Sequence, residues 1–534
     1  MLKLGKSCNK IIIIRIFWTL FYVYIFGLLI VNSSSYLDPD FGWHLKVGEE
    51  ISRTASVPHA NIYNYTYTGN WVDHEWLINL IIFEIYDNFG YFVLTIFFAL
   101  IIVLTLVLLN IFTNKYFPKT PVWLLASAQL FGLFACLPHF GVRMQEFGPL
   151  FLLLELWIIF EFTNKKSWKL LVWLLPLFYF WSNVHGSFLL GIGLLFFWLL
   201  IKFIENRLYL GKWGHYLSEP QILKAPHLLL ASLFFIGSAL ATFFTPYGLE
   251  LYAFLGGYKN SFYLTAIQEW IPQYFFPFSY WQLSYLLLLV FVLILYFYNY
   301  LSSTNKTIHL WDIFLTIFLL FLSFKSRRHF PLIFVATLPF LVKTLYHSFD
   351  MGKTKFYLPT KILEYLVVFC LLLVCVSQYL KIQYISDPFV SYCSKYPCQA
   401  ANYLINDSKY RDLNILNDYG WGGFLIWAYP EKKLFIDGRI PQAEYAGHSL
   451  LEEYVEFFYP EADFEGKLNQ YNIKLVLITS QDDVKAVRKW EQILFSIKNE
   501  ELIETNYLRI YLDKSKNWEK IYSDSLASIY LKNE

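Results

Sequence analysis

A chain of 534 residues with 57% hydrophobic, 21% aromatic and only 16% charged side chains cannot cover itself as a water-soluble globule, because soluble domains carry about 25% charged residues. A net charge of +2 gives no footing for a nucleic-acid partner. Six cysteines without zinc spacing exclude a disulfide framework or a zinc module. What remains is a polytopic α-helical membrane protein.

Eleven apolar runs are long enough to cross a bilayer, which takes about 20 helical residues. They cover 11–31, 90–113, 121–138, 146–162, 169–184, 187–205, 227–245, 280–300, 308–324, 329–346 and 361–380. The first is too long for a cleaved signal peptide and no small-residue cleavage site follows it. Beyond residue 380 charges become frequent and no run could span. Residues 1–380 therefore read as a transmembrane domain with a long first outer loop at 32–89, and 381–534 as one soluble α/β domain. With a cytoplasmic N-terminus, Lys and Arg on the inner side outnumber those on the outer side eighteen to seven. An odd number of spans then puts the C-terminal domain outside, on the side of the first loop. The expected location is the plasma membrane.

The first outer loop is long enough to carry function. Phe41 to Arg53 reads as an amphipathic helix with Trp43, Val47 and Ile51 on one face, and Trp43 suits a water–lipid interface. Asp40 and His44, four apart, share a face if the helix begins by Asp40. Pro58 breaks the chain, and Trp71 to Trp76 leads into a second interfacial helix, Leu77 to Asn88. Six acids (Asp38, Asp40, Glu49, Glu50, Asp73, Glu75) face only Lys46 and Arg53, with His44, His59 and His74 among them. Two readings fit. One is an acidic site with a carboxylate base and a divalent cation such as Mg or Mn, for which Asp38, Asp40, His44, His74 and Glu75 are the candidate ligands. The other is an exposed polar loop in which Asp38 caps a helix.

At these residues the chain resembles a known family. Asp38-Pro39-Asp40-Phe41-Gly42-Trp43-His44-Leu45, Gly48, Pro58, and Trp71 followed by His74-Glu75-Trp76-Leu77 resemble the first outer loop of the GT-C superfamily, in its prokaryotic multi-span branch. Further matches follow in order: Arg143 with Gln145, Trp181 to Phe188, Thr245 to Gly248, Glu269-Trp270, Arg327 to Pro331, Asn417 to Gly423 and Phe435 to Arg439. The resemblance implies a glycosyltransferase that takes a sugar from a polyprenyl-phosphate carrier on the outer membrane face and passes it to a glycan, lipid or protein acceptor. It implies an acidic first-loop residue near the acceptor and basic residues holding the phosphate. The chain departs from the family pattern at Asn61 and Asn64, which stand where an Asp and a Ser are expected; this bears on a metal more than on a base.

Of the two acids, Asp40 is the better base, because Pro39 favours an extended Asp38. A phosphate-linked sugar has a good leaving group, so one base suffices and the product should be inverted, unlike the product of the two-carboxylate retaining pair. Arg143, Arg327 and Arg328, with His329 and Lys325, oppose the charge bias and match family positions. They read either as phosphate ligands, for which the Arg fork is suited, or as snorkelling anchors. Asn183 and His185, ahead of Gly186, read as a wall of the sugar pocket or as a hydrogen-bonded helix end. Glu155 is an acid inside a span with no evident partner.

In the C-terminal domain, Leu413 to Leu416, Lys432 to Ile436 and Lys474 to Thr479 read as strands, and Gly422 to Tyr429 as a short helix. Ser480 to Lys498 reads as a helix capped by Ser480. Trp518 to Tyr522 and Leu526 to Leu531 read as a hairpin. Asp437-Gly438-Arg439 reads as a turn with a local ion pair or as an acceptor contact. Cys393 and Cys398 lie in the outer segment, where an oxidising compartment would join them. Two other classes of function stay open: a lipid or solute transporter, against which the lack of an internal repeat speaks, and a non-catalytic scaffold or sensor, for which the first-loop acids would be replaceable.

Overall fold

The computed structural model describes residues 2–211, 214–217, 222–257, 262–302, 308–349, 361–440, 443–445, 447–485, 487–498 and 502–533. They fall into two compact units.

The first unit comprises Met1–Tyr36, Val93–Gly248 and Glu269–Tyr384 and is helical. All eleven expected apolar runs are helical, but among the described residues six helices are long and apolar enough to cross a membrane. These are Ile12–Ser33, Trp76–Tyr116, Val122–His139, Phe188–Tyr209, Tyr280–Ser302 and Arg327–Ser348. The other expected runs are helical but shorter, interrupted or charged, for local reasons. Phe147–Lys165 carries Glu155 and Glu161. The 169–184 run is split into Trp168–Leu171 and Leu174–Val184, because Pro176 lacks the N–H that a continuous helix would need. Ala225–Ala241 and Leu310–Lys325 stop at 17 and 16 residues. Large side chains fill the core of this unit: Phe162, Phe178, Trp181, Trp198, Tyr285 and Phe330 are fully buried.

The second unit comprises Leu37–Phe92, Leu249–Gln268 and Ile385–Glu534. Its centre is a four-stranded sheet in the spatial order Asn414–Asn417, Ile473–Thr479, Ala527–Lys532, Trp518–Ser523. The first pair is parallel, with Asn417 opposite Leu477, and the other two pairs are antiparallel. Ile473–Thr479 is central, and all its residues but Lys474 and Thr479 are buried, as expected of a strand covered on both faces. The terminal hairpin turns at Asp524, whose Oδ1 accepts the N–H groups of Leu526 and Ala527 at 2.7 and 2.8 Å. Cys393 and Cys398 form a disulfide with a Cα separation of 5.4 Å.

Two elements differ from the sequence reading. Lys432–Ile436 joins no sheet; Leu434 instead donates to the Tyr63 carbonyl at 2.8 Å and accepts from the Tyr65 N–H at 3.2 Å. Among the described residues of 480–498, only Lys489–Leu494 is helical. Asp482 accepts from the Asn506 N–H and from Arg509, which draws Asp483–Val484 into pairing with Ile503–Glu504.

The first-loop helix runs from Phe41 to Thr54, and Trp43, Val47 and Ile51 are buried within this unit. The interfacial role expected of Trp43 is thereby overturned: packing against protein, not lipid, removes its ring from water. The second loop helix begins at Trp76 and runs on to Tyr116 with a break at Gly90, whose φ of 78° suits glycine.

Candidate functional site

The second unit brings three of the singled-out segments together. Asp38 Oδ1 accepts the Asp40 N–H at 2.8 Å, and the Asp38 carbonyl accepts the Phe41 N–H at 3.1 Å. This tight turn starts the helix at Phe41, with Asp40 as the N-cap residue. Asp40 does not cap with its side chain. Its carboxylate lies against the backbone of Gly438, where a Cβ would fall 2.1 Å from Asp40 Oδ1. At Gly423 a Cβ would fall 2.2 Å from the Pro39 carbonyl. Glycine at these two positions lets the Gly423 backbone meet that of Pro39 and Asp40, and the Gly438 backbone take the Asp40 carboxylate.

The Asp437–Arg439 turn is held by a buried knot. Arg439 donates from Nε and Nη2 to the two Asp437 oxygens at 3.0 and 2.9 Å, and both side chains are fully shielded from solvent. Nη2 also donates to Asn61 Oδ1 at 2.9 Å and Asn64 Oδ1 at 3.0 Å. The guanidinium sits over Tyr63 and Trp71, 4.7 and 4.8 Å from their ring centres. Asn61 and Asn64 thus have a local reason to be amides: they accept from a cation whose charge Asp437 already balances. A further carboxylate would be a buried excess charge.

Next to this knot runs a second polar chain. Asp73 Oδ2 accepts from Asn79 Nδ2 at 2.8 Å, and Asn79 Oδ1 faces His44 Nδ1 at 2.7 Å. The carboxylate fixes the amide orientation, so His44 Nδ1 carries the proton. His44 Nε2 then faces Glu75 at 3.8 Å, whose other oxygen lies 3.6 Å from His74 Nε2. Burial raises the Asp73 pKa to about 6, against the pull of its hydrogen bonds to Asn79 and the Glu75 N–H. In the Asn417–Gly423 segment, burial likewise lifts Asp418 to about 6 while it accepts from the Gly420 N–H at 2.9 Å. The set Asp38, Asp40, His44, His74 and Glu75 does not gather as metal ligands. Asp38 is turned to the Asp40 amide, and Glu75 stands between two imidazoles at ion-pair distance. Among the described residues no three His, Cys, Asp or Glu side chains could hold one ion. Asn79 was not legible as a site residue, since nothing about an Asn three residues into a helix marks it.

The first unit holds the arginines. Arg143, in extended backbone, precedes the turn Met144–Glu146 and the helix Phe147–Lys165. Its guanidinium meets Glu269 Oε1 at 2.5 Å and lies 5.7 Å from the Tyr36 ring centre. Arg328 approaches Glu269 Oε2 at 3.9 Å, donates its N–H to the Glu269 carbonyl at 2.9 Å, and stacks 4.9 Å from the Trp270 ring centre. Arg327 and Gln273 extend this ladder: the Arg327 N–H donates to the Ile271 carbonyl and the Gln273 N–H to the Phe324 carbonyl. Burial alone would raise the Glu269 carboxyl, but Arg143 and Arg328 override it and hold it at about 2. Glu269 is a residue that sequence reasoning noted only as part of a motif; its role as the shared counter-ion needed the fold.

Arg327 differs from its neighbour. It is buried, and its Nη2 donates to the carbonyls of Phe275 and Pro277 at 2.5 and 2.8 Å. Lys325 is exposed in the last turn of its helix, and His329 packs its ring 6.0 Å from that of Trp270. Asn183 and His185 form a helix end: Asn183 Nδ2 donates to the Tyr179 and Phe244 carbonyls, and His185 Nδ1 pairs with Ser187 Oγ at 2.8 Å. Glu155 is fully buried, and neither carboxylate oxygen has a hydrogen-bond partner among the described residues.

Two solved structures share this architecture. One is the Archaeoglobus fulgidus oligosaccharyltransferase tethered to an acceptor peptide containing the NVT sequon; it covers 87% of this chain and 69% of its own at 11% identity, with a TM-score of 0.52. The other is the archaeal oligosaccharyltransferase AglB from the same organism, in complex with an inhibitory peptide and a dolichol-phosphate; it covers 86% and 69% at 10% identity, with a TM-score of 0.50. The chain shares the fold of these two structures. That agrees with the GT-C-like architecture expected from the sequence. No family model and no curated protein sequence matches the chain.

Proposed function

We propose that this protein is a membrane glycosyltransferase that moves a sugar or glycan from a polyprenyl-phosphate carrier to an acceptor on the outer face of the plasma membrane, with inversion. The observation that carries the reading is the pair of guanidiniums, Arg143 and Arg328, brought onto the single carboxylate of Glu269. Two cations fixed in this way are oriented in advance for an anion. A phosphate offers more acceptor atoms than the carboxylate it would displace and suits the planar Arg fork. As the sugar leaves, negative charge builds on that phosphate, so fixed cations stabilise the transition state more than the ground state. Arg327, committed to two carbonyls, shapes the segment that carries Arg328 instead of binding phosphate itself. Lys325 and His329 are secondary contacts.

Asp40 is the proposed base. Its carboxylate is held beside the rigid Asp437–Arg439 turn, and it leads the helix that carries His44. Proton removal from the acceptor by one carboxylate accounts for inversion, with no acid needed for a phosphate leaving group. His44, Glu75 and His74 orient the acceptor or the sugar, and Asn183 and His185 line the sugar's side. A lipid-linked donor and an outer-face acceptor fit the dolichol-phosphate and acceptor peptide bound by the structural neighbours. The orientation proposed with this has the N-terminus inside and residues 381–534 outside. A reporter fused after Lys381 should be active only outside. Incubating the purified protein with a panel of polyprenyl-phosphate and polyprenyl-diphosphate sugars should release the lipid phosphate from at least one donor; release that persists unchanged in Arg143→Ala and Arg328→Ala would overturn the assignment of the clamp.

A further inference from the structure

The helices that carry Arg143 and Arg328 at one end close around a second polar chamber at the other. Phe147–Lys165 begins beside Arg143, and its residues from Leu156 to Asn164 line this chamber, roughly 14–26 Å along the helix at 1.5 Å per residue. The cavity measures about 80 Å³, room for roughly five water-sized groups. Aromatic walls from Phe112, Phe160, Trp198 and Phe340 enclose Tyr116, Lys202, His309 and Asp312.

The charges here are of both signs and each is held in place. Tyr116 donates its hydroxyl to Asp312. Lys202 pairs with Glu205 at 2.8 Å, both nearly fully shielded. Lys343 lies 3.5 Å from His309 Nε2 and 5.1 Å from the Tyr116 ring centre, and among the described residues no carboxylate lies within ion-pair distance of it. Around the chamber the charge turns positive. Lys115 and Lys165 share Glu161, and Lys166 donates to the Thr163 carbonyl. Ionisable groups among membrane helices are costly and mark sites by default. Basic pockets between such helices take lipid headgroups.

We propose that this chamber binds the zwitterionic headgroup of an aminophospholipid, from the leaflet opposite the Arg143–Glu269–Arg328 clamp. The ammonium end enters and meets Asp312 and Tyr116, while the phosphate stays among the lysines at the rim. An anionic lipid supplies no cation for Asp312. A choline headgroup supplies one that cannot donate a hydrogen bond and is too bulky for the space. The site does not depend on the catalytic reading.

The full chain, reconstituted in vesicles of equal phosphatidylethanolamine, phosphatidylglycerol and phosphatidylcholine and re-extracted, should retain phosphatidylethanolamine at least fivefold over the other two by mass spectrometry. Asp312→Asn and Lys343→Ala should bring that preference within twofold. Asn164→Trp, which fills the cavity from an exposed position without disturbing the core, should do the same and serves if Asp312→Asn fails to fold. Equal retention of the three lipids, a preference for phosphatidylglycerol, or a preference that survives Asn164→Trp would overturn the proposal.

Discussion

The two arginine sites of this protein use the same chemistry to opposite ends. Arg439 is fully shielded and bidentate on Asp437, with two amide oxygens and two rings completing its surroundings. Arg143 and Arg328 share one carboxylate and keep 11% and 27% of their side-chain surface in contact with solvent, with Glu269 at 30%. A guanidinium buried on its own adjacent carboxylate and two amide oxygens holds a turn. Guanidiniums that remain in reach of solvent and share the Glu269 carboxylate can, on the proposed function, exchange that contact for a ligand. On the proposed function, the difference separates an arginine that builds a site from arginines that act in one.

The largest effect should come from breaking the shielded pair. Arg439→Ala leaves Asp437 charged and buried, a loss of about 3–5 kcal/mol, and thermal unfolding should show the second unit melting early or not folding. Arg439→Lys should not restore it, because an ammonium cannot span two carboxylate oxygens and two amides. Arg328→Ala should do the reverse. Its ion pair is long and partly exposed, so stability should change by less than about 1 kcal/mol, while turnover falls about 10²-fold or more, as for other fixed transition-state donors. Equal loss of stability in both variants would erase the comparison.

The sequence exposed these two sites unequally, for physical reasons. The Asp437-Gly438-Arg439 ion pair is local and readable from three adjacent residues. Its completion by Asn61, Asn64 and Trp71 spans more than 360 residues of chain and has no periodic signal. The helix Phe41–Thr54, the strand Ile473–Thr479 and the closing hairpin follow from hydrophobic period and turn residues. Lys432–Ile436 has strand composition, yet its partner is Tyr63–Tyr65, which composition cannot name. Trp43 reads as interfacial until the residues that cover it are known. The arginines at 143 and 328 stood out because they oppose the charge bias; Glu269 between them did not, since one acid in a loop is unremarked without its neighbours.

A smaller effect, in pH, sharpens the contrast because the two units should respond with opposite sign. Glu269 is held at about 2, below its ordinary 4.5. Its contribution to stability is present above 4.5 and is lost as pH falls toward 2. Asp73 is raised to about 6 from 3.8. The native state therefore binds its proton more tightly, and stability is lost as pH rises from about 4 to 6, then levels off. Unfolding followed by hydrogen exchange should show the region of Asp73 gaining protection between pH 6 and 4 while that of Glu269 holds until lower pH. Asp73→Asn should flatten the first profile and leave the second.

The central claim is that this fold transfers a sugar from a phosphate-linked lipid with Asp40 as base. The most direct measurement gives the purified protein a lipid-linked donor of known anomeric configuration and reads both the released lipid phosphate and the configuration of the product. The account predicts release, an inverted product, and a loss of at least about 10²-fold in Asp40→Asn, with a smaller loss in Asp38→Asn and both variants folded. A retained configuration, or near-full activity in a folded Asp40→Asn protein, would contradict it.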